Sequence, residues 1–206
     1  MNKTDLYLES ILEKLCIEVS PESLLDVGCG ASSPIQKFSS KINRTVGIDG
    51  FSPSIQKSRA KKIHQEYIQG DLMSSMAALK SKSFDVVIAM DVIEHFEKDR
   101  GWKFLGELER LASKRVIVFT PNGFLPQGEY DENPAQLHRS GWEVNEFIER
   151  GYAVCGINGL KWLKGEYGAP AFKPRWLANR VSDFTQFFTH SRPSLAFQIL
   201  ANRDFS

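Results

Sequence analysis

The stretch Leu24-Leu25-Asp26-Val27-Gly28-Cys29-Gly30-Ala31-Ser32-Ser33-Pro34 decides the fold of this chain. It predicts a short apolar strand that ends in an acid and continues into a glycine turn. Gly28 and Gly30 tolerate positive φ and let a ligand approach the backbone closely. Ser33 followed by Pro34 predicts the N-cap and the first residue of a helix. A strand, a glycine turn and a helix in this order are typical of a nucleotide-binding site.

Asp26 indicates which kind of nucleotide this turn suits. The dinucleotide pattern G-x-G-x-x-G is only partly present, because its third glycine would stand where Ser33 is. A carboxylate beside the turn repels a pyrophosphate and attracts a cation. We therefore expect a nucleoside that carries positive charge, as S-adenosylmethionine (SAM) does on its sulfonium and its amine.

Length, charge and composition are those of a globular protein. The chain has 206 residues, enough for one α/β domain, and its formal net charge of +1 argues against nucleic acid or an anionic membrane as a partner. No apolar run is long enough to span a bilayer. The widely spaced Cys16, Cys29 and Cys155 fit reduced thiols in the cytoplasm. We expect one cytoplasmic domain over residues 1–206, whose oligomeric state the sequence leaves open.

Strands and helices alternate along most of the chain. Apolar runs predict seven strands: Ser23–Val27, Arg44–Asp49, Glu66–Gln69, Phe84–Met90, Arg115–Thr120, Tyr152–Ile157 and Leu195–Leu200. Such alternation over residues 23–157 indicates βαβ units, hence an α/β fold with a parallel sheet and right-handed crossovers. Residues 158–194 form an insertion before the last strand, which we expect to cover the substrate.

The insertion at 158–194 interleaves basic and aromatic residues: Lys161, Trp162, Lys164, Tyr167, Phe172, Lys173, Arg175 and Trp176. A helix near its end places four apolar residues on one face: Leu177, Val181, Phe184 and Phe188. Such a pattern suits stacking on RNA bases or binding of an anionic small molecule. It is more typical of a lid whose aromatic side chains are buried against the sheet, and the near-neutral charge favours this interpretation.

Three aspartates stand at the C-terminal ends of predicted strands. In open α/β sheets, ligands bind outside these ends. Asp49 follows the glycine turn by about 20 residues, where a carboxylate accepts hydrogen bonds from ribose hydroxyls. Asp71 suits an adenine amino group, with Leu72 against the ring, and Asp26 suits the amino-acid end of the ligand. A single aspartate here is often an ordinary loop or cap residue, but three in this order favour one ligand site.

With these motifs in place, the sequence resembles the class I SAM-dependent methyltransferases. Leu25–Gly30, Val46–Asp49 and Gln69–Leu72 are similar to their first three motifs, and Phe84–Met90 with Glu94-His95 is similar to their fourth. The resemblance implies a three-layer α/β sandwich around a mostly parallel seven-stranded sheet whose last strand is antiparallel. It also implies SAM as the cofactor.

The strand ends and the resemblance together predict which residues hold SAM. They are Asp26, Gly28, Cys29, Gly30, Asp49, Gly50, Asp71, Leu72, Met90 and Asp91. The first motif departs from the family pattern at its third glycine, where Ala31 and Ser32 stand.

Asp91, Glu94 and His95 follow the fourth predicted strand at i, i+3, i+4 spacing, which is one face of a helix. His95 is the predicted catalytic group, because an imidazole with a reference pKa of about 6.5 suits a general base. We expect no metal to be required, but the spacing is similar to the E-x-x-E-H motif of metal-dependent family members. Mg²⁺ or Mn²⁺ therefore stays a candidate, with Asn122 or His138 as a further ligand. A third interpretation is structural, with Asp91 capping a helix together with Glu94.

The leading hypothesis is SAM-dependent methyl transfer to a small-molecule acceptor, at oxygen in preference to nitrogen or carbon. The alternatives are an RNA 2′-O-methyltransferase with a divalent metal, a nicotinamide-dependent oxidoreductase and a SAM-binding protein without catalysis. Asp26 and the missing glycine at position 33 count against the nicotinamide enzyme.

Overall fold

The computed structural model describes residues 6–128, 136–164 and 175–205, except the side chains of 175–179, 182 and 183. Its seven described strands are β1 (Ser23–Val27), β2 (Arg44–Asp49), β3 (Glu66–Gln69), β4 (Phe84–Met90), β5 (Ala112–Pro121), β6 (Ala153–Leu160) and β7 (Ala196–Asp204). They form one sheet in the order β3-β2-β1-β4-β5-β7-β6. All adjacent pairs are parallel except the two that β7 makes, which are antiparallel. The predicted sheet is therefore confirmed.

Helices cover both faces of the sheet. The α-helices within the described residues are α1 (Leu8–Ile17), α2 (Ser52–Ala60), α3 (Leu72–Ala77), α4 (Lys98–Leu111), α5 (Val144–Glu149) and α6 (Arg175–His190). One apolar cluster joins the sheet to α3, α4 and α5, and a second joins its other face to α1. This is the expected three-layer sandwich. None of the described helices is both long and apolar enough to cross a lipid bilayer.

β4 is buried on both faces, which explains its continuous apolar sequence. Val87 and Ala89 belong to the first cluster, whereas Val86 and Ile88 belong to the second. β4 lies beside β1, although two strands separate them along the chain. The strand order reverses between these neighbours, so a crevice opens where β1 and β4 end.

Two predicted helix starts differ from expectation in local detail. Ser33 does cap a helical segment, since its Oγ accepts a hydrogen bond from Ile35 N at 3.4 Å, but that segment, Pro34–Lys37, is a single 3₁₀ turn. Ser52 followed by Pro53 likewise predicts an N-cap and the first residue of a helix. In the structure Ser52 is already the first residue of α2, and Phe51 occupies the N-cap position without a capping side chain.

The spacing Ser140-x-x-Glu143 predicts a capping box before Val144, and this prediction is wrong. The box lies three residues later, between Glu143 and Glu146. Ser140 Oγ instead accepts a hydrogen bond from Trp142 Nε1 at 3.0 Å. The fully buried indole needs a partner for its N–H, and this need outweighs the local capping signal.

The expectation that the insertion buries its aromatic side chains is wrong for its described part. Trp162 is 73% exposed, Phe184 is 82% exposed and Phe187 is 67% exposed. The expected aromatic residues Tyr167 and Phe172 lie outside the described residues, as does Lys173. The side chains of Arg175, Trp176 and Leu177 lie outside them as well.

Polar residues hold α6 against β6 instead. The buried Gln186 accepts a hydrogen bond from Gly159 N at 2.9 Å and donates to Gly156 O at 3.0 Å. The helix backbone also comes very close to β6, because a Cβ on Gly156 would lie 2.2 Å from Thr189 O. The face of α6 with Gln186 and Thr189 is therefore the buried one, and an apolar-periodicity argument selects the wrong face.

The packing of α4 against Trp142 gives a test of the core near the cleft. A Cβ on Gly101 would lie 2.4 Å from Trp142 Cζ2, and the indole is fully buried. Gly101→Ala should therefore lower the free energy of unfolding by about 1–3 kcal/mol through overpacking. The control is Gly106→Ala on the same helix, where the nearest atom is Arg150 Nη2 at 3.6 Å. That variant should gain up to about 1 kcal/mol from helix propensity. Urea denaturation measures both, and equal effects of the two substitutions would contradict this packing.

Candidate active site

Within the described residues, three cavities adjoin at the C-terminal ends of the strands. The glycine-loop cavity, about 720 Å³, is lined by Asp26, Gly28, Cys29, Gly30, Met90 and the segment 31–34 among others. The strand-end cavity, about 540 Å³, is lined by Gly28, Gly30, Asp49, Gly50, Asp71, Leu72 and His95 among others. The histidine cavity, about 500 Å³, is lined by Glu94, His95, His138, Lys164 and Gln198 among others. Asp91 and Gln136 line all three, so the cavities form one cleft.

The glycine loop packs directly against the turn after β4. Gly28 has φ +75°, and a Cβ there would lie 2.5 Å from Val92 Cγ2. The backbone N–H groups of Gly28 and Cys29 both donate to Ile48 O, at 2.8 and 3.0 Å. Cys29 is buried, and burial raises the pKa of its thiol, which disfavours the reactive thiolate. Glycine is therefore required at 28 by both conformation and space.

Asp26 is 1% exposed and pairs with a histidine that sequence reasoning missed. Its Oδ2 lies 2.9 Å from His64 Nε2, while the residue also lines the glycine-loop cavity. His64 stands between α2 and β3, 38 residues from Asp26 in the chain. A lone histidine at that separation forms no sequence pattern with an aspartate, so no signal was available.

Asp49 ties the glycine loop to the end of β2. Its Oδ2 accepts a hydrogen bond from Gly30 N at 2.9 Å, and its Oδ1 accepts one from Phe51 N at 2.7 Å. Each carboxylate oxygen has a second lone pair, so Asp49 can accept two more donors in the strand-end cavity that it lines with Gly50.

Asp71 borders the same cavity but also caps α3. Its Oδ2 accepts hydrogen bonds from both Ser74 N and Ser74 Oγ at 2.9 Å. The N–H of Ser74 is the main cause that lowers the pKa of the Asp71 carboxyl, and Arg100 contributes from 3.5 Å. Leu72 follows at the start of α3 and lines the cavity. Asp71 thus has the capping role that is common for an aspartate at a strand end, and its contact with the adenine amino group stays a prediction.

Helix capping does not explain Asp91, Glu94 and His95. Ile93–His95 is a 3₁₀ turn with Val92 at its N-cap position and no capping side chain. Asp91 itself has φ +52°, a conformation that residues other than glycine rarely adopt. This turn brings Glu94 and His95 next to His138, with candidate ligand atoms of all three within 4.8 Å of one another.

Asp91 is oriented by a hydrogen-bond relay from the far strands of the sheet. Gln198 Nε2 on β7 donates to Asp91 Oδ1 at 3.2 Å, and Asn158 Nδ2 on β6 donates to Gln198 Oε1 at 2.6 Å. Asp91 is exposed to the cavities that it lines, although it is densely surrounded by protein atoms. This desolvation raises the pKa of the Asp91 carboxyl to about 7.

Glu94 is buried with one of its oxygens unpartnered. Its Oε2 accepts a hydrogen bond from Thr120 Oγ1 at 3.0 Å, whereas its Oε1 has no hydrogen-bond partner among the described residues. Burial, followed by the charge of Asp91, raises the pKa of the Glu94 carboxyl well above its usual range. Such an orphaned oxygen is rare in protein interiors and calls for a proton or a ligand.

His95 and His138 present the same nitrogen to the histidine cavity. His95 Nδ1 lies 3.3 Å from Leu137 O, and His138 Nδ1 lies 2.7 Å from Leu125 O. Because a carbonyl only accepts, these contacts assign the proton to Nδ1 and leave a lone pair on each Nε2. Burial lowers the pKa of both imidazoles, which favours their neutral form.

Of the two further candidate metal ligands, the structure places His138 near Glu94 and His95 but not Asn122. Asn122 is directed elsewhere, because its Nδ2 donates to the carbonyl oxygens of Pro193, Ser194 and Ala196. His138 is brought to the site by its neighbours in the chain: the backbone N–H groups of Arg139 and Ser140 donate to Glu94 O at 2.8 and 3.1 Å. The sequence offers His138 only as a possible further ligand of a metal ion, and the structure places its ring 5.0 Å from that of His95.

Known proteins share this sequence pattern and fold. Residues 25–120 match a family described as a methyltransferase domain. The chain is 32% identical over 214 residues to the ubiquinone biosynthesis O-methyltransferase of Rickettsia conorii, an alignment that covers 93% of this chain and 70% of the relative. This chain belongs to the class I SAM-dependent methyltransferases. SAM is therefore its methyl donor, in place of a nicotinamide cofactor.

Solved structures with low sequence identity share the fold of this methyltransferase. A SAM-dependent methyltransferase from Archaeoglobus fulgidus superposes with a TM-score of 0.62 at 15% identity, over 96% of this chain and 93% of that one. The magnesium protoporphyrin IX methyltransferase from Synechocystis PCC 6803, solved with bound SAM, superposes with a TM-score of 0.55 at 15% identity. The superposition covers 99% of this chain and 79% of that one. At these identities the likeness concerns the fold alone.

The raised pKa of Glu94 predicts a pH-dependent stability of this methyltransferase. The pKa of the Glu94 carboxyl is higher in the folded than in the unfolded protein. In acid the carboxyl is protonated in both states and does not affect the free energy of unfolding. As pH rises, the unfolded state loses this proton first, so the free energy of unfolding falls progressively. Glu94→Gln removes this cost while keeping the shape of the side chain. In a chelator, the variant should match the wild type in free energy of unfolding near pH 4.5 and exceed it increasingly towards pH 8. A constant difference across this range would contradict a buried, desolvated carboxyl.

Proposed function

We propose that this methyltransferase transfers the methyl group of SAM to an oxygen of a small-molecule acceptor. The observation that carries the proposal is the junction at Asp91 and Gln136, where the histidine cavity meets the two cavities bordered by the glycine turn. A donor in the latter two and an acceptor in the first would have their reacting atoms at this junction. The Rickettsia relative, named an O-methyltransferase, supports oxygen as the acceptor atom.

The residues present fit SAM. Gly28 leaves no room for a side chain and lets a ligand lie against the backbone. Asp26 would accept a hydrogen bond from the ammonium group, Asp49 from the ribose hydroxyls and Asp71 from the adenine amino group. Leu72 would pack on the adenine ring. The bound cofactor supplies a methyl group activated by its sulfonium, and the chain's task is alignment.

His95 would take the proton of the acceptor hydroxyl. Its Nδ1–H, donated to Leu137 O, fixes the ring and leaves Nε2 as the accepting atom. Burial lowers the pKa of the ring, so the base is present in its neutral form at neutral pH. A positioned base of this kind contributes about 10²–10⁴ in rate.

A small molecule suits the acceptor site better than a nucleic acid. The histidine cavity, of about 500 Å³, has the size of a site for a drug-sized ligand, and the net charge of the chain is only +1. Lys164 of the insertion lines this cavity, which supports the proposal that residues 158–194 of a single domain border the acceptor. A cytoplasmic location stays a prediction.

A divalent metal ion in the histidine cavity is the second candidate, favoured by the unpartnered Oε1 of Glu94. Glu94, His95 and His138 would hold it, and both imidazoles have the Nδ1–H contact to a carbonyl that orients metal-binding histidines. Two imidazoles and one carboxylate suit Mn²⁺ better than Mg²⁺. A bound ion would acidify an acceptor hydroxyl that it coordinates.

Two variants separate donor binding from chemistry. Asp49→Ala should weaken binding of S-adenosylhomocysteine by about tenfold or more, because it removes charge-assisted hydrogen bonds to the ligand and to Gly30. His95→Ala should leave that affinity within about twofold and lower kcat by about 10²–10⁴. Asp99→Ala, at an exposed acid on α4, is the control for both.

Calorimetry with S-adenosylhomocysteine and transfer of radiolabelled methyl from SAM measure these effects. The acceptor panel contains a catechol, an aliphatic alcohol, a carboxylic acid and a short single-stranded RNA. Unchanged affinity in Asp49→Ala would refute the ribose role, and methylation of the RNA alone would refute a small-molecule acceptor.

Metal binding has a readout that does not depend on activity. If the histidine cavity holds Mn²⁺, the ion should raise Tm of the wild type and fail to do so for His138→Gln, which keeps a polar side chain but loses the imidazole ligand. Mg²⁺ should have a smaller effect. No Tm shift with Mn²⁺, together with full activity in a chelator, would exclude the metal and leave His95 as the base.

A further inference from the structure

His64 and Asp26 form a buried pair behind the glycine loop. Their side chains are 0% and 1% exposed, and Nε2 of the imidazole lies 2.9 Å from Oδ2 of the carboxylate. The Asp26 carboxylate makes no other hydrogen bond within the described residues, yet Asp26 lines the glycine-loop cavity. The pair thus connects a residue of the ligand cleft to one that does not line it.

The contacts of the imidazole assign its tautomer. Nε2–H donates to Asp26, whereas Nδ1 is buried and has no hydrogen-bond partner among the described residues. A second proton on Nδ1 would be a buried donor without an acceptor, at a cost of about 1–3 kcal/mol. The observed contacts are therefore those of a ring that donates to Asp26 through Nε2 and has no acceptor for a proton on Nδ1.

Several elements fix the position of the ring. The backbone N–H of His64 donates to Tyr67 Oη at 3.1 Å, and the two rings meet edge to face at 5.2 Å. Tyr67 Oη in turn lies 2.9 Å from Ser58 Oγ on α2. On the opposite side, a Cβ on Gly47 would lie 3.1 Å from His64 Nδ1 and 2.9 Å from Cys29 Sγ. These contacts fix the imidazole in one position, and the absence of a side chain at Gly47 leaves the space that it occupies.

We infer that His64 is a positioning residue for the methyl donor. Its Nε2–H holds the Asp26 carboxylate in one orientation, so that the other oxygen accepts a hydrogen bond from the ammonium group of the methionine part of SAM. Without this partner the carboxylate rotates, because the terminal torsion of aspartate has broad minima. The inference rests on the role proposed above for Asp26.

Two nucleosides that differ in the methionine part test this role. S-adenosylhomocysteine has the ammonium group, whereas 5′-methylthioadenosine lacks the whole amino-acid portion. His64→Leu should lower the affinity for S-adenosylhomocysteine about tenfold. It should leave the affinity for 5′-methylthioadenosine within about twofold of the wild-type value, since only the first ligand would contact Asp26. His64→Gln, whose amide N–H replaces the Nε2 donor, should restore most of the lost affinity. Isothermal titration calorimetry on the full chain measures both ligands.

The outcomes separate positioning from a structural role. Equal losses for the two nucleosides would mean that His64 only supports the loop, and unchanged affinity for S-adenosylhomocysteine would overturn the inference directly. Asp26→Asn is measured in parallel. If it leaves S-adenosylhomocysteine binding unchanged, the proposed role of Asp26 fails; if it weakens binding while His64→Leu does not, only the role of His64 fails.

A measurement on the unaltered protein keeps the inference testable if His64→Leu does not fold. ¹⁵N NMR of the His64 imidazole at neutral pH should show a proton on Nε2 and none on Nδ1. A proton on Nδ1 in place of Nε2 would overturn the inference, because it would remove the donor to Asp26.

Discussion

The contact between the backbone of Gly28 and the side chain of Val92 is the constraint on which the cleft depends. β1 and β4 are neighbours in the sheet, so the loop after one must pass the turn after the other. No side chain fits at Gly28, and its positive φ turns the glycine loop against that turn. The strained Asp91 is thereby placed between the glycine loop and the histidine cavity. A cleft that joins the glycine-loop cavity to the histidine cavity follows from this single close approach.

The acids around the cleft differ in how their burial is compensated, and this separates their chemistry. Asp26 has the imidazole of His64 as its single hydrogen-bond partner among the described residues. Asp49 accepts two backbone N–H groups and keeps lone pairs for a ligand. Glu94 has one oxygen satisfied by Thr120 and one without a partner, and burial raises its pKa. A buried carboxylate is stable only when it is paired, protonated or bound to a ligand, and these three residues differ in how far the described residues around them meet this need.

Pattern reasoning succeeds where the physical determinant is local in sequence. The bounds of β4 were predictable because a parallel strand buried on both faces needs a continuous apolar run, as Val86, Val87, Ile88 and Ala89 show. It fails at α6, where Gln186 and Thr189 are buried while Phe184 faces outward. Apolar periodicity predicts the buried face only when that face is apolar. It fails also at Ser140, whose hydroxyl serves the indole of Trp142 instead of a helix end.

The sequence by itself determined the sheet, the glycine turn, the acids at the strand ends and SAM as the donor, because these depend on residue types at short, regular spacings. Only the tertiary structure decided which distant side chains meet. His64 reaches Asp26, Gln198 reaches Asp91, and His138 reaches His95 and Glu94. Each of these contacts joins a residue of one loop or strand to a residue far from it in the chain. The physical reason is that burial in a common core, and not any local propensity, sets the distance between such residues.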